Sequence, residues 1–162
     1  MPRTEADMPH LLYRDARPED ISTILILCHA GDARGADTPP LDHASLADPR
    51  YRKAFDEISG DPNNHLIVVE SAGEIVGTLQ ISVLPGLTRF GMKRAILENV
   101  HIRGDQRGHG LGSQMVRWAV ERCREYGCGM VQLTSNKVRL DAHRFYRKLG
   151  FEQTHEGFKL LL

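Results

Sequence analysis

Between Arg107 and Ser113 the chain reads Arg-Gly-His-Gly-Leu-Gly-Ser, three glycines at alternate positions behind an arginine. An amphipathic stretch bearing Leu111, Met115, Trp118, Ala119 and Cys123 begins inside it. Gly108, Gly110 and Gly112 let backbone N–H groups approach an anion with no Cβ in the way. A helix starting there adds free N–H donors and the positive end of its dipole. The chemistry this spacing supports is the cradling of a phosphate or pyrophosphate. Two other phosphate patterns do not fit. No Lys follows Gly112, as GxxxxGK[ST] requires, and Gly108-x-Gly110-x-Gly112 lacks the third spacing of GxGxxG. A flexible strand–helix turn is the plain alternative, and Arg107, a cation just before the glycines, weighs against it.

Glu98 is the second position of chemical interest. On a strand over Arg94–Ile102, plain alternation places it in a row with Ile96, Val100 and Ile102. A carboxylate buried there is costly without a partner or a purpose. It reads either as a rim glutamate paired with an arginine or as a base acting directly or through water. The histidines give weaker signals. His101 lies on the other strand face, His109 touches phosphate or faces solvent, and His143 lies near the same site or on the surface. Their spacing fits no metal site. Arg89, Lys93 and Arg94 form a basic cluster that reads either as a receptor for an anionic substrate or as a solvated turn. Cys28, Cys123 and Cys128 are an odd number and read as reduced packing residues, not a disulfide framework.

The elements that must position these groups follow from periodicity and turn residues. Leu11–Arg14 reads as a short strand, and Pro18 opens a helix with Glu19 and Asp20 in its first turn. Gly31–Pro49 is a long irregular connection, and Arg50–Ser59 a second helix. His65–Glu70 and Glu74–Leu84 form an antiparallel hairpin about Ser71-Ala72-Gly73. Arg94–Ile102 is a strand, Gly112–Tyr126 a helix, Met130–Thr134 a strand, and Arg139–Leu149 a helix closed by Gly150. Phe151–Leu162 reads as a final strand or hairpin. The first half is antiparallel and the second contains a parallel crossover, giving a mixed α/β layer.

With 162 residues, the chain reads as one domain over 1–162, with 1–10 a flexible N-terminal tail. Lys+Arg and Asp+Glu both number 21, so no net charge draws it to nucleic acid or an anionic membrane. No signal-peptide core and no run long enough to span a bilayer is visible, so a cytoplasmic protein is expected.

Arg107-Gly108-His109-Gly110-Leu111-Gly112 resembles the R-x-x-G-x-G/A signature of the GCN5-related N-acetyltransferase (GNAT) superfamily. Ala95–Ile102 resembles the strand before that loop, in which a Glu often lies near the substrate amine. Asp141–Phe151 is similar to the A-x-x-x-Y-x-x-x-G-F helix of that superfamily. The resemblance implies a GNAT fold, a mixed central sheet whose central parallel strands splay apart, flanked by helices. It implies acetyl-CoA in the gap between Arg94–Ile102 and Met130–Thr134, with no metal. Cofactor contacts fall on Val100, His101 and Ile102, on Arg107, Gly108, His109, Gly110, Leu111, Gly112 and Ser113, and on Asn136 and Tyr146. Asn136 matches the family Asn at the cofactor arm, although Arg139 occupies the usual spacing of three residues before Ala142. Tyr146 matches the family's proton donor to the departing thiolate, and Glu98 is the candidate base. The oxyanion needs a backbone N–H, from Asn99 or Val100 if a bulge splays the strand.

The expected activity is acetyl transfer to a small-molecule amine in a ternary complex, by a homodimer with no nucleic-acid or membrane partner. A non-catalytic acyl-CoA sensor and a protein or peptide acetyltransferase are the alternatives. The acceptor pocket is expected to draw on Gly31–Pro49, Leu84–Lys93 and Gln153–Phe158.

Overall fold

The hairpin at Ser71–Glu74 sets the register of the sheet. Ala72 and Gly73 both take left-handed backbone angles, φ 51° and 81°, as a two-residue turn matched to strand twist demands. They join β2 (Asn64–Ser71) to β3 (Glu74–Leu84) antiparallel. The computed structural model describes residues 10–31 and 41–162. Five strands lie in chain order. β1 (Leu12–Asp15), β2, β3 and β4 (Lys93–Ile102) are successively antiparallel, and β5 (Cys128–Leu133) runs parallel to β4. A parallel pair needs a crossover, which α5 (Leu111–Glu125) supplies. The mixed α/β sheet is the one the sequence predicts.

One sheet face packs on α5. Leu79, Ile81, Ala95 and Leu97 join Leu111, Met115, Val116, Ala119 and Cys123 in one buried cluster. Alternation then puts Arg94, Ile96 and Glu98 on the opposite face. A bulge interrupts the pattern. Gln80 pairs with Glu98 but Thr78 with His101, so β4 carries one extra residue, and Asn99 is left-handed at φ 50°. Beyond it, Val100 and Ile102 pack against the α5 cluster, and His101 returns to the face of Glu98. The expected row of Glu98 with Val100 and Ile102 is therefore not formed, because the bulge reverses the alternation between them. Pairing of β4 with β5 ends at Leu97 and Leu133, so the strands part where the bulge begins.

The opposite face carries α1 (Ile21–Ala30), entered through a 3-10 turn at Pro18–Asp20. Asp20, only 6% exposed, accepts from the Arg17 N–H at 2.7 Å and from the Arg14 guanidinium at 2.7 and 3.2 Å. Arg14 also donates to Glu70 of β2 at 2.6 Å. This network ties the start of α1 to two strands. At its far end, a Cβ on Gly31 would meet His101 Nδ1 at 2.1 Å, so only glycine fits there.

Of the expected irregular connection over Gly31–Pro49, His43–Leu46 forms a one-turn α2. Residues 32–40 lie outside the described residues, as do residues 1–9 of the expected tail. α3 (Pro49–Gly60) follows, and a one-turn α4 (Thr88–Gly91) lies between β3 and β4. After α6 (Leu140–Lys148), Phe151–Leu162 forms no regular element and pairs with no strand. The final strand expected there is absent. Glu152–Gly157 is polar, and Phe158, Leu160, Leu161 and Leu162 are exposed, so no apolar row holds the segment against β5.

Candidate active site

The start of α5, like those of α1, α4 and α6, has no side-chain cap, whereas those of α2 and α3 do. Asp42 caps α2 through the Ser45 N–H, and Asp48 caps α3 through the Arg50 N–H. α5 begins instead at Gly110, left-handed at φ 84°, with no side-chain cap and no acidic residue in its first turn. Its leading N–H groups therefore remain available to an anion. Gly108 is left-handed too, at φ 77°, a conformation that glycine takes without strain. The Arg107 guanidinium donates to the Ile102 carbonyl at 3.2 Å, which holds its charge over the loop. Gly112 lies against α6, where a Cβ would touch the Phe145 ring at 3.5 Å. The loop, α6 and the end of β4 enclose a cleft of about 930 Å³.

Val100, His101, Ile102, Arg107, Gly108, Gly110, Gly112, Ser113 and Tyr146 all line this cleft. Glu98, His109, Leu111 and Asn136, also singled out in the sequence, do not. His109 is exposed outside it, and the Leu111 side chain is buried in the core. Asn136 folds the turn before α6, its side-chain carbonyl accepting the Val138 N–H at 3.2 Å. His143 holds the same turn, its Nε2 lying 2.9 Å from the Asn136 backbone carbonyl. Arg139, not Asn136, reaches the cleft wall. Phe145, Leu140 and Met115 also line it and were not anticipated; the apolar stripe of α6 was the available signal.

Tyr146 is fixed by the way α6 ends. The Phe151 N–H donates to the Tyr146 carbonyl and the Gly150 N–H to that of Arg147, with Gly150 left-handed at φ 91°. This is a Schellman closure. Its apolar contact is the Phe151 ring, edge-on to Tyr146 at 5.7 Å, with Phe145 at 5.1 Å. Burial pushes the Tyr146 phenol above its ordinary value, and the positive charge of Arg139 offsets part of that rise. The phenol is thus a proton donor throughout the neutral range.

Glu98 is exposed and makes no ion pair among the described residues, so the rim pairing with an arginine is not formed. Gln80, its cross-strand neighbour, donates to Asn64 Oδ1 at 3.4 Å, and Ser82 donates to the same oxygen at 2.6 Å. The surroundings of Glu98 on its own strand face are therefore polar. No cysteine lines the cleft. Burial pushes the Cys28 and Cys123 thiols up to about 11 and raises that of Cys128, which removes the thiolate a covalent route needs. Among the described residues, no three His, Cys, Asp or Glu side chains are grouped to hold a metal, and no helix is long and apolar enough to cross a membrane.

Residues 33–151 match the model of the Acetyltransferase (GNAT) family. The chain is 31% identical over 159 residues to an aminoalkylphosphonate N-acetyltransferase of Salmonella typhimurium, covering 98% of this chain and 96% of that protein. It is 31% identical over 154 residues to a glucosamine 6-phosphate N-acetyltransferase of Trypanosoma brucei brucei, covering 93% and 94%. A solved structure from Bacillus halodurans, described as a transcriptional regulator, superposes with a TM-score of 0.85 at 41% identity, covering 94% and 100%.

Proposed function

The chain belongs to the acetyltransferase (GNAT) family, and on that premise we propose that it acetylates a primary amine of a small molecule by direct attack within a ternary complex with acetyl-CoA. The observation that carries this reading is the uncapped start of α5, which opens into the same cleft as Tyr146 and the bulged end of β4. The two relatives are named for small acceptors bearing a phosphonate or a phosphate, which supports the acceptor class.

The residues present fit acetyl-CoA. First-turn amides of α5 and the Arg107 loop suit the pyrophosphate. The edge of β4 beyond Leu97, freed where β5 departs, suits an extended amide-bearing arm laid along it as an added strand. An acceptor amine near the lysine reference of about 10.4 arrives as ammonium and must lose a proton before it attacks. Glu98, exposed on the far face at the bulge, takes that proton through water. The backbone N–H at Asn99 or Val100 donates to the oxygen that becomes negative as the amine nitrogen bonds to the thioester carbon. As the carbon–sulfur bond breaks, Tyr146 Oη–H protonates the departing sulfur and the nitrogen gives its second proton to water, so the products are an acetamide and CoA thiol. Tyr146 recovers its proton from solvent.

Free thiol released from acetyl-CoA in the presence of a panel of small amines tests this reading. Amine-dependent release is the expected result, and a protein that binds CoA yet releases thiol with no amine overturns it. Glu98→Gln is expected to flatten the acid limb of the pH–rate profile. An unaltered profile removes Glu98 from the reaction.

A further inference from the structure

Three basic residues precede the bulged strand, and the structure separates them. Arg89 and Lys93 are exposed, whereas Arg94 is half-buried on the sheet face it shares with Ile96 and Glu98. Its strand neighbours on that face are Leu84 and Met130, neither of which can accept a hydrogen bond from a guanidinium of fixed charge with any strength. The Arg94 Nε is buried with no hydrogen-bond partner, and the side chain makes no ion pair among the described residues. The terminal nitrogens of the fork are not buried in this way and remain free to donate from the same face. An oxyanion would satisfy this Nε together with a terminal nitrogen, the two-donor pairing that the planar fork favours.

Along β4 the face therefore reads cation, apolar spacer, carboxylate, at Arg94, Ile96 and Glu98. Four residue steps along the strand separate the two charged positions by about 13 Å between Cα atoms, a gap that the long arginine side chain shortens. A short molecule with an ammonium at one end and an oxyanion at the other matches both charges in one orientation, its nitrogen toward the bulge. We infer that Arg94 binds the anionic group of the acceptor, and that the acceptor is a short amino acid or amino phosphonate. This inference rests on the acetyl-transfer reading only for the orientation of the amine; the anion site stands on Arg94 itself.

The test compares β-alanine, aminoethylphosphonate and the neutral propanolamine as acceptors, using the wild-type protein, Arg94→Met, Arg94→Lys and, as a control on the exposed cation, Lys93→Gln. The wild-type protein is expected to prefer the two anionic amines over propanolamine by at least about tenfold in kcat/KM, the effect of one charge-assisted hydrogen bond. Arg94→Met should erase that preference, chiefly through KM. Arg94→Lys should restore part of it, and Lys93→Gln should leave it intact. Equal losses for charged and neutral acceptors, no loss at all, or the same loss in Lys93→Gln overturns the inference. Calorimetric titration of β-alanine and aminoethylphosphonate onto the CoA-bound protein separates binding from turnover. Arg94-dependent binding without acetylation keeps the anion site and rejects the transfer reading. Acetylation of amines without Arg94-dependent binding does the reverse. The tighter of the two ligands identifies the oxyanion, and Arg94→Lys decides the matter if circular dichroism shows that Arg94→Met is unfolded.

Discussion

Tyr146 is held between two opposed influences. Burial disfavours the tyrosinate and the nearby Arg139 favours it, and burial is the stronger. The phenol therefore keeps its proton past its ordinary value of 10.0, and the rate should show no loss from Tyr146 ionisation until the pH exceeds 10. Tyr146→Phe removes the donor and keeps the ring, so kcat should fall by about a hundredfold or more, with binding of CoA retained by calorimetry. Unchanged kcat would assign the proton to another group. That Tyr146 and the glycine loop lie at one cleft was legible in sequence, because each lies in a local run whose spacing dictates its neighbours. The side of Glu98 was not. One extra residue at Asn99 reverses the pleat, and no local pattern in Glu98-Asn99-Val100 announces it. The Asn136 assignment shows the same limit, since a short polar side chain beside a turn satisfies a backbone N–H as readily as a ligand.

The elements hold these residues through a few specific closures. Gly150 ends α6 in the left-handed conformation that lets Phe151 return onto Tyr146. Gly150→Ala should destabilise the protein by about 1 kcal/mol, the cost of a left-handed Cβ, measured as a lower urea midpoint. At the other end of the molecule, Asp20 is buried against Arg14 and the Arg17 amide. Removing one partner from such a pair leaves an uncompensated charge, so Asp20→Ala should cost about 3 kcal/mol. Burial raises the Asp20 pKa, but the hydrogen bonds from Arg14 and from the Arg17 N–H together lower it below its ordinary 3.8. A depressed folded-state value means that this stability is present above 3.8 and lost as the pH falls below it. Helix and strand existence was readable from period and punctuation, while the 3-10 entry at Pro18–Asp20 was not, because a proline-led acidic turn suits either helix.

At the scale of the whole molecule, two faces of one sheet divide the labour. The α5 face carries the apolar core, and the face bearing Arg94, Glu98 and Gln80 is the one proposed to receive the acceptor. The core also fixes the alkaline limit of stability. Burial raises the Cys28 and Cys123 thiols from 9.0 to about 11, so the folded state holds protons that the unfolded chain releases. That contribution is complete below pH 9 and is lost as the pH rises to 11. The urea midpoint should hold to pH 9 and then decline, with a smaller decline in Cys28→Ala. The antiparallel-then-parallel order of the sheet was legible from turn lengths and the single long crossover helix. The unpaired course of Phe151–Leu162 was not, because its apolar residues predict burial without saying against what.

Under the proposed function, donor and acceptor react directly at the bulged end of β4, without a covalent enzyme intermediate. Initial rates over a grid of acetyl-CoA and amine concentrations test it most directly, with mass spectrometry of protein exposed to acetyl-CoA alone. Intersecting reciprocal plots and a protein of unchanged mass are the predicted result. Parallel plots together with an acetylated protein that discharges onto the amine would contradict it.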